Sequence, residues 1–227
     1  GPGPVTPPAP EVDSGEERTR YEFGNRCVVL QSVSNNRYVA QNSGQFSASA
    51  TALSAAEAFY FKPSALGDYL LFTRTGSLLS ASSPVSANAL SAASDANIFT
   101  LKVLGDATSY VKPPLRDHEP TPAEIAAYRD FVDPQLSSKV FTLSAAAAGT
   151  RLQAGPEGVL TLGAAANAPA EQFRLITTTG CAEFPEAHSN ASGDTFKGVT
   201  DDGRVLGMAD VHVHLSATNF LANAQYG

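Results

Sequence analysis

The chain has 227 residues, of which only 16% are charged, and its 22 acidic and 15 basic side chains give a formal net charge of −7. This balance argues against nucleic acids and anionic membranes as partners, because both are recognised by clustered Lys and Arg side chains. No apolar stretch is long enough to cross a bilayer, so the sequence predicts no transmembrane segment.

Residues 1–20 are predicted to form a tether. Five of the first ten residues are proline, and four acidic side chains follow between positions 11 and 17. A segment of this composition stays extended and solvated because it cannot bury enough apolar surface to fold. We expect it to join the next domain to an anchor or to a neighbouring domain.

Residues 26–178 contain three copies of one pattern, and this repetition predicts the fold. Each copy has four short apolar stretches that alternate with period two and are separated by Gly, Asn and Ser, which is typical of strands. The stretches are 27–31, 36–40, 45–48 and 56–61 in the first copy, 69–72, 77–81, 89–92 and 95–101 in the second, and 140–143, 150–154, 159–162 and 170–175 in the third. Three copies favour a β-trefoil over a propeller, which usually needs four or more blades. The prediction is an all-β protein: a β-trefoil of three four-stranded repeats over residues 21–181, with one short helical insertion and a C-terminal extension.

Each copy closes with the pattern Phe-x-(Phe or Leu), which places Phe59, Phe99 and Phe173 at equivalent positions. Large rings at equivalent positions of a repeat are expected to share one interior. We therefore predict that these three rings form the aromatic layer of the trefoil core, near its pseudo-threefold axis.

An insertion separates the second and third copies. The closing phenylalanines are 40 residues apart and then 74 apart, which indicates about 34 extra residues at roughly 105–138. Within the insertion, Thr121, Pro122 and Glu124 occupy the N-cap, N1 and N3 positions of a capping box. This predicts a helix from about 122 to 132 that ends before Pro134, because the residue preceding a proline disfavours helical backbone. Its apolar face would carry Ile125, Tyr128, Phe131 and Val132.

The two cysteines, Cys27 and Cys181, open the first copy and follow the last. A trefoil brings its first and last strands side by side, so we predict a disulfide between them. A disulfide implies an oxidising compartment, and the chain is expected to be secreted, at the cell surface or periplasmic. The alternative is a pair of free buried thiols in a cytosolic protein.

Near the C-terminus, His212 and His214 lie one residue apart in an apolar run that begins with Asp210. Alternate residues of a strand share a face, so both imidazoles could bind one metal ion with Asp210 as a neighbour. The alternative is two histidines on the polar face of an ordinary strand. A catalytic zinc usually has three protein ligands, so no catalytic site is predicted in this chain alone.

The run Met-Ala-Asp-Val-His-Val-His-Leu at 208–215 resembles the opening strand of metal-dependent hydrolases of the amidohydrolase superfamily. The resemblance implies that His212 and His214 bind a divalent metal, with zinc favoured, once the rest of a (β/α)8 barrel is present. It also implies that residues 182–227 are a linker and the truncated start of that barrel. The other ligands would come from a missing barrel or from a partner chain.

The repeats resemble fascin-like and ricin-like trefoils, including modules appended to secreted glycosidases. The resemblance lies in the strand patterns and in Gln172-Phe173-Arg174-Leu175, which partly matches the Q-x-W ending of lectin trefoils. It implies a glycan or a cell surface as partner.

Three functional hypotheses follow from these observations. The favoured one is the N-terminal accessory trefoil of a secreted metal-dependent hydrolase, inactive as this chain alone. The second is a stand-alone β-trefoil that binds carbohydrate or a cell surface. The third is a subunit of a split hydrolase whose strand at residues 205–215 pairs with a partner chain.

Overall fold

The computed structural model describes residues 16–104 and 120–185. Its strands fall into three successive units of four. Unit 1 contains β1 (Arg26–Ser32), β2 (Tyr38–Asn42), β3 (Gln45–Ala50) and β4 (Phe59–Ala65). Unit 2 contains β5 (Asp68–Phe72), β6 (Ser77–Ser80), β7 (Ser86–Ala89) and β8 (Ile98–Leu104). Unit 3 contains β9 (Val140–Ala145), β10 (Arg151–Ala154), β11 (Leu160–Gly163) and β12 (Phe173–Thr177). Helix α1 (Glu16–Tyr21) precedes unit 1, and helix α2 (Pro122–Ser137) lies between units 2 and 3.

The first and fourth strands of the three units close into a six-stranded antiparallel barrel. The pairings run β1–β4, β4–β5, β5–β8, β8–β9, β9–β12 and β12–β1. The second and third strands of each unit form a hairpin beside the barrel, as β2–β3, β6–β7 and β10–β11. The protein is therefore an all-β trefoil, as the threefold repeat predicts.

The core fills the barrel with side chains from all three units. Phe59, Phe99 and Phe173 are fully buried and belong to one hydrophobic cluster. Leu30 of β1 and Leu143 of β9 join the same cluster from the neighbouring strands. The closing phenylalanine of each unit thus lies in the shared interior.

A buried polar side chain precedes each of these phenylalanines by two residues: Glu57 in unit 1, Asn97 in unit 2 and Glu171 in unit 3. Each one forms hydrogen bonds with backbone groups of another segment of the chain. Glu57 accepts a hydrogen bond from the Arg74 amide at 2.7 Å, and Asn97 donates one to the Leu79 carbonyl at 2.9 Å. Buried polar groups need such partners, so the residue at this position connects the start of each unit's last strand to backbone elsewhere in the trefoil.

The sequence assignment of the third strand in unit 2 is wrong. The strand β7 covers Ser86–Ala89, and Leu90–Ala92 forms a 3-10 turn instead of the predicted strand at 89–92. The sequence Ala-Leu-Ser-Ala occurs at 52–55 as well as at 89–92, and Leu53–Ala55 is also a 3-10 turn. The repeated motif therefore marks the turn before a unit's last strand.

Helix α2 begins as predicted but ends later. Its capping box is present, with the Thr121 amide donating to Glu124 Oε2 at 2.8 Å. The predicted end before Pro134 is wrong, because the helix continues through this proline to Ser137. Val132 and Leu136 are fully buried one turn apart, and this packing offsets the hydrogen bond that proline cannot donate. Phe131, by contrast, is 48% exposed and lies off the buried face.

The folded body extends beyond residues 21–181 at both ends. Thr19 of helix α1 is fully buried, and the Tyr69 hydroxyl donates to the Arg20 carbonyl. After residue 181, the Phe184 ring stacks on Tyr60 with centroids 6.3 Å apart. No helix within the described ranges is long and apolar enough to cross a membrane.

The predicted disulfide is confirmed. Cys27 and Cys181 are bonded, with Cα atoms 5.6 Å apart. Strand β12 pairs with β1 immediately before Cys181, in a register that sets Thr177 opposite Val28. The closure of the barrel thus places the two cysteines side by side.

Candidate ligand-binding cleft

A cleft of about 370 Å³ opens where unit 3 meets unit 1. One wall is the β1–β2 loop together with β3, and the other is the turn between β10 and β11. The lining residues are Ser34, Asn35, Arg37, Ala48 and Ser49 from unit 1, and Gly155, Glu157 and Gly158 from unit 3.

The close approach of the two units depends on Gly158. Its φ is +84°, and a Cβ built there would lie 2.4 Å from the Ala48 carbonyl oxygen. Next to it, Val159 forms an isolated β-bridge with Ser47 of β3. Only glycine fits both the left-handed backbone and the contact with β3. Gly158 therefore allows the turn between β10 and β11 to pack against β3 at the floor of the cleft.

Replacing Gly158 with alanine tests this account, and Gly149 provides the matched control. Gly149 also has a positive φ, +67°, but nothing lies within 4 Å of its Cβ direction. We expect G149A to lower the free energy of unfolding by about 1 kcal/mol through backbone strain alone. G158A should lower the free energy of unfolding by about 3 kcal/mol, because the added methyl group also forces β3 to move away at Ala48. Urea unfolding of both variants checks this, and equal losses would contradict a close contact at Gly158.

Hydrogen bonds orient the unit 1 wall. Asn35 accepts from the Arg37 amide through Oδ1 at 3.0 Å and donates from Nδ2 to the Ala48 carbonyl at 3.0 Å. Arg37 donates from Nη1 to the Ser49 carbonyl at 3.0 Å. These bonds fix the amide and the guanidinium, and they use only part of the donors that an arginine carries.

The unit 3 wall is a tight turn that carries a carboxylate. The Gly155 amide donates to the Val159 carbonyl at 2.8 Å, and the Gly158 amide donates to the Gly155 carbonyl at 2.9 Å. Between these glycines, Glu157 has φ 62° and ψ 8°, and it is exposed. Within the ranges 16–104 and 120–185, its carboxylate has no hydrogen-bond or ion-pair partner. It is therefore available to a ligand.

The chemistry of the cleft is polar and balanced in charge. It contains one guanidinium, one carboxylate, one amide and two serine hydroxyls, and none of the described lining residues is aromatic. A ligand that both donates and accepts hydrogen bonds at closely spaced atoms would match this set of groups.

The residues predicted for a metal site are in another part of the chain. His212, His214 and Asp210 lie outside the described residues. In the ranges that are described, no group of three or more His, Cys, Asp and Glu side chains could hold a metal ion. The cleft was not predicted from the sequence. Its only local signals are the Pro-Glu-Gly turn at 156–158 and the Asn-Asn-Arg loop at 35–37.

The chain matches no protein-family model, and the comparison with curated proteins found no match. Among solved structures, it is similar to the designed threefold-symmetric protein ThreeFoil, with 12% identity and a TM-score of 0.46 over 66% of this chain and 97% of that one. It is also similar to SeviL bound to asialo-GM1 saccharide, with 12% identity and a TM-score of 0.44 over 68% and 98% of the two chains. A third similarity is to the GlcNAcα1-4Gal-releasing endo-β-galactosidase from Clostridium perfringens, with 11% identity and a TM-score of 0.47. That match covers 68% of this chain and 33% of the enzyme.

Proposed function

We propose that the protein is a carbohydrate-binding β-trefoil and that the cleft between units 1 and 3 is its binding site. The observation that supports this most is the fixed placement of Asn35 and Arg37 opposite the carboxylate of Glu157, which no described residue binds. Adjacent hydroxyl groups of a sugar ring both donate and accept hydrogen bonds, and their oxygen atoms lie close together. A carboxylate accepts from two of them, while a guanidinium donates to others.

The disulfide supports the proposed location. A bridge between Cys27 and Cys181 persists in oxidising compartments and is uncommon in the cytosol. We therefore propose that the protein works outside the cytosol, where glycans of cell surfaces and secreted polymers are its available ligands.

A glycan array probed with the full chain, followed by calorimetric titration of the strongest ligand, tests this function. R37M keeps the aliphatic stem but removes the guanidinium, and we expect it to weaken binding about tenfold, because a hydrogen bond to a charged group is lost. K102M is the control: Lys102 is exposed on β8 of unit 2 and does not line the cleft. K102M should bind like the wild type. Absence of glycan binding by the wild-type protein, or unchanged affinity in R37M, would contradict the proposal.

A second candidate function is supported by the sequence motif at 210–215. There the chain would be the accessory portion of a metal-dependent hydrolase, with His212 and His214 holding a divalent metal and the other ligands supplied by a barrel or partner chain. When the other ligands are supplied by a longer chain or by a partner chain, we expect one zinc ion to bind and the H212A/H214A substitution to abolish that binding. Competition with a chromophoric chelator measures both affinities. Equal zinc affinity in the two proteins would contradict a metal role for this pair.

A further inference from the structure

We propose that Glu157 is the specificity-determining group of the cleft and selects uncharged saccharides over acidic ones. This inference rests on the carbohydrate function proposed above and assigns one selection step to one side chain.

The backbone at Glu157 is unfavourable for its side chain. Five non-glycine residues in the described ranges have positive φ: Asn25, Asn36, Ser43, Glu157 and Asn167. Asparagine tolerates this region because its short polar side chain bonds to nearby backbone, and the short hydroxyl side chain of serine does the same more weakly. Glutamate has no such compensation. The turn would form more easily with asparagine or glycine at position 157.

The carboxylate of Glu157 does not stabilise the fold through any described contact, whereas the buried carboxylates do. Glu57 and Glu171 accept hydrogen bonds from backbone amides of adjoining loops. Glu157 is exposed at the mouth of the cleft, and no described residue binds its carboxylate. A strained position that holds an unused charged group at a cavity is characteristic of a functional site.

The charges around Glu157 determine what it would select. Arg37 is the cation of the cleft, and one of its two terminal nitrogens already donates to the Ser49 carbonyl. Glu157 accepts hydrogen bonds from the hydroxyls of an uncharged sugar. A sugar carboxylate or sulfate in the same position would meet a like charge with no proton to donate. The net charge of −7 adds to this repulsion at low ionic strength.

Two variants and a matched control test the inference in the full chain. The probes are the uncharged oligosaccharide that binds the wild type most tightly and the same oligosaccharide carrying a terminal sialic acid. In calorimetric titrations, we expect E157Q to bind the uncharged probe about tenfold more weakly and to lose most of its preference over the acidic probe. E157N should melt at a higher temperature than the wild type and bind the uncharged probe weakly. E183Q, which removes an exposed carboxylate outside the cleft, should change neither property.

The outcomes distinguish this inference from the proposed function. A wild-type protein that binds no glycan overturns the proposed function and the selection with it. A wild-type protein that binds glycans while E157Q keeps the same affinities and preference overturns the selection alone. Tighter binding of the acidic probe by the wild type also overturns it. An E157N protein no more stable than the wild type contradicts the strain at this turn.

Discussion

Replacing Cys27 and Cys181 together with serine is expected to lower the free energy of unfolding by about 5 kcal/mol. The two cysteines are 154 residues apart in sequence, so the bridge closes a loop that contains nearly all of the trefoil. In the chain-entropy model, a loop of this size removes a large number of conformations from the unfolded chain, which gives about 5 kcal/mol at 25 °C. Guanidinium unfolding of the wild type and of C27S/C181S, followed by intrinsic fluorescence, measures the difference.

The control for this prediction is the wild-type protein unfolded in the presence of reductant. Its midpoint should match that of C27S/C181S, because both lack the bridge and keep nearly the same side-chain volume. Thiol titration of the denatured, unreduced wild type should find no reactive thiol. Two reactive thiols, or equal stability of the oxidised and reduced proteins, would contradict a stabilising bridge.

The second large effect is expected at Glu171, for which E171A should cost about 3 kcal/mol. Glu171 is almost fully buried and accepts hydrogen bonds from the Ala166 amide at 2.7 Å, the Asn167 amide at 3.1 Å and Arg151 at 2.8 Å. Truncation removes the acceptor of both amides and the carboxylate beside the half-buried Arg151 guanidinium, which keeps its hydrogen bond to Asn167 Oδ1 at 2.7 Å, and the loss of a charge-assisted hydrogen-bond network is costly. Urea unfolding at pH 7 measures the loss, and a loss below 1 kcal/mol would contradict a structural role for this carboxylate.

Glu171 and Glu57, which occupy equivalent positions in units 3 and 1, should affect the pH dependence of the unfolding free energy in opposite ways. Burial acts to raise the pKa of Glu171, but hydrogen bonds from Ala166, Arg151 and Asn167, with the charge of Arg151, hold it below its ordinary value of 4.5. A lowered pKa contributes stability that is present above pH 4.5 and lost as the pH falls through the folded-state pKa. The difference in unfolding free energy between wild type and E171Q should therefore shrink as the pH falls below 4.5.

Glu57 should behave in the opposite sense. Burial raises its pKa above 4.5, and the amide and charge of Arg74 only partly oppose this. A raised pKa contributes stability that is present at low pH and lost as the pH rises through the folded-state value. We expect E57Q, which keeps an acceptor for the Arg74 amide, to be at least as stable as the wild type at pH 7. A clear loss of stability in E57Q at that pH would show that the ionised form of Glu57 is favoured.

Much of the fold could be predicted from the sequence because repetition shows which positions are equivalent. Phe59, Phe99 and Phe173 recur after similar strand patterns, and this recurrence predicts both three units and a shared interior. The capping box at Thr121 and Glu124 is a local signal that fixes where α2 begins. The end of α2 depends instead on tertiary packing. Leu136 is buried against the barrel, and the sequence alone does not show that this packing offsets the hydrogen bond lost at Pro134.

The cleft could not be predicted, because it depends on contacts between units. Gly158 faces Ala48 across 110 positions of sequence, and the Pro-Glu-Gly pattern predicts a turn but not what the turn packs against. The left-handed conformation of Glu157 is equally hidden, since glutamate is an uncommon choice for it. The same limit applies to the segment after Cys181, where Phe184 contacts Tyr60 and Phe72 of the paired strands β4 and β5, far away in sequence.

Both the proposed function and the proposed role of Glu157 require the cleft between units 1 and 3 to be the carbohydrate site. Amide chemical-shift mapping of the full, 15N-labelled chain, titrated with the oligosaccharide that binds it most tightly, tests this directly. The largest shifts are predicted at the backbone amides of the lining residues Asn35, Arg37, Ser49, Glu157 and Gly158. Saturable shifts confined to other parts of the trefoil, with these five amides unchanged, would contradict it.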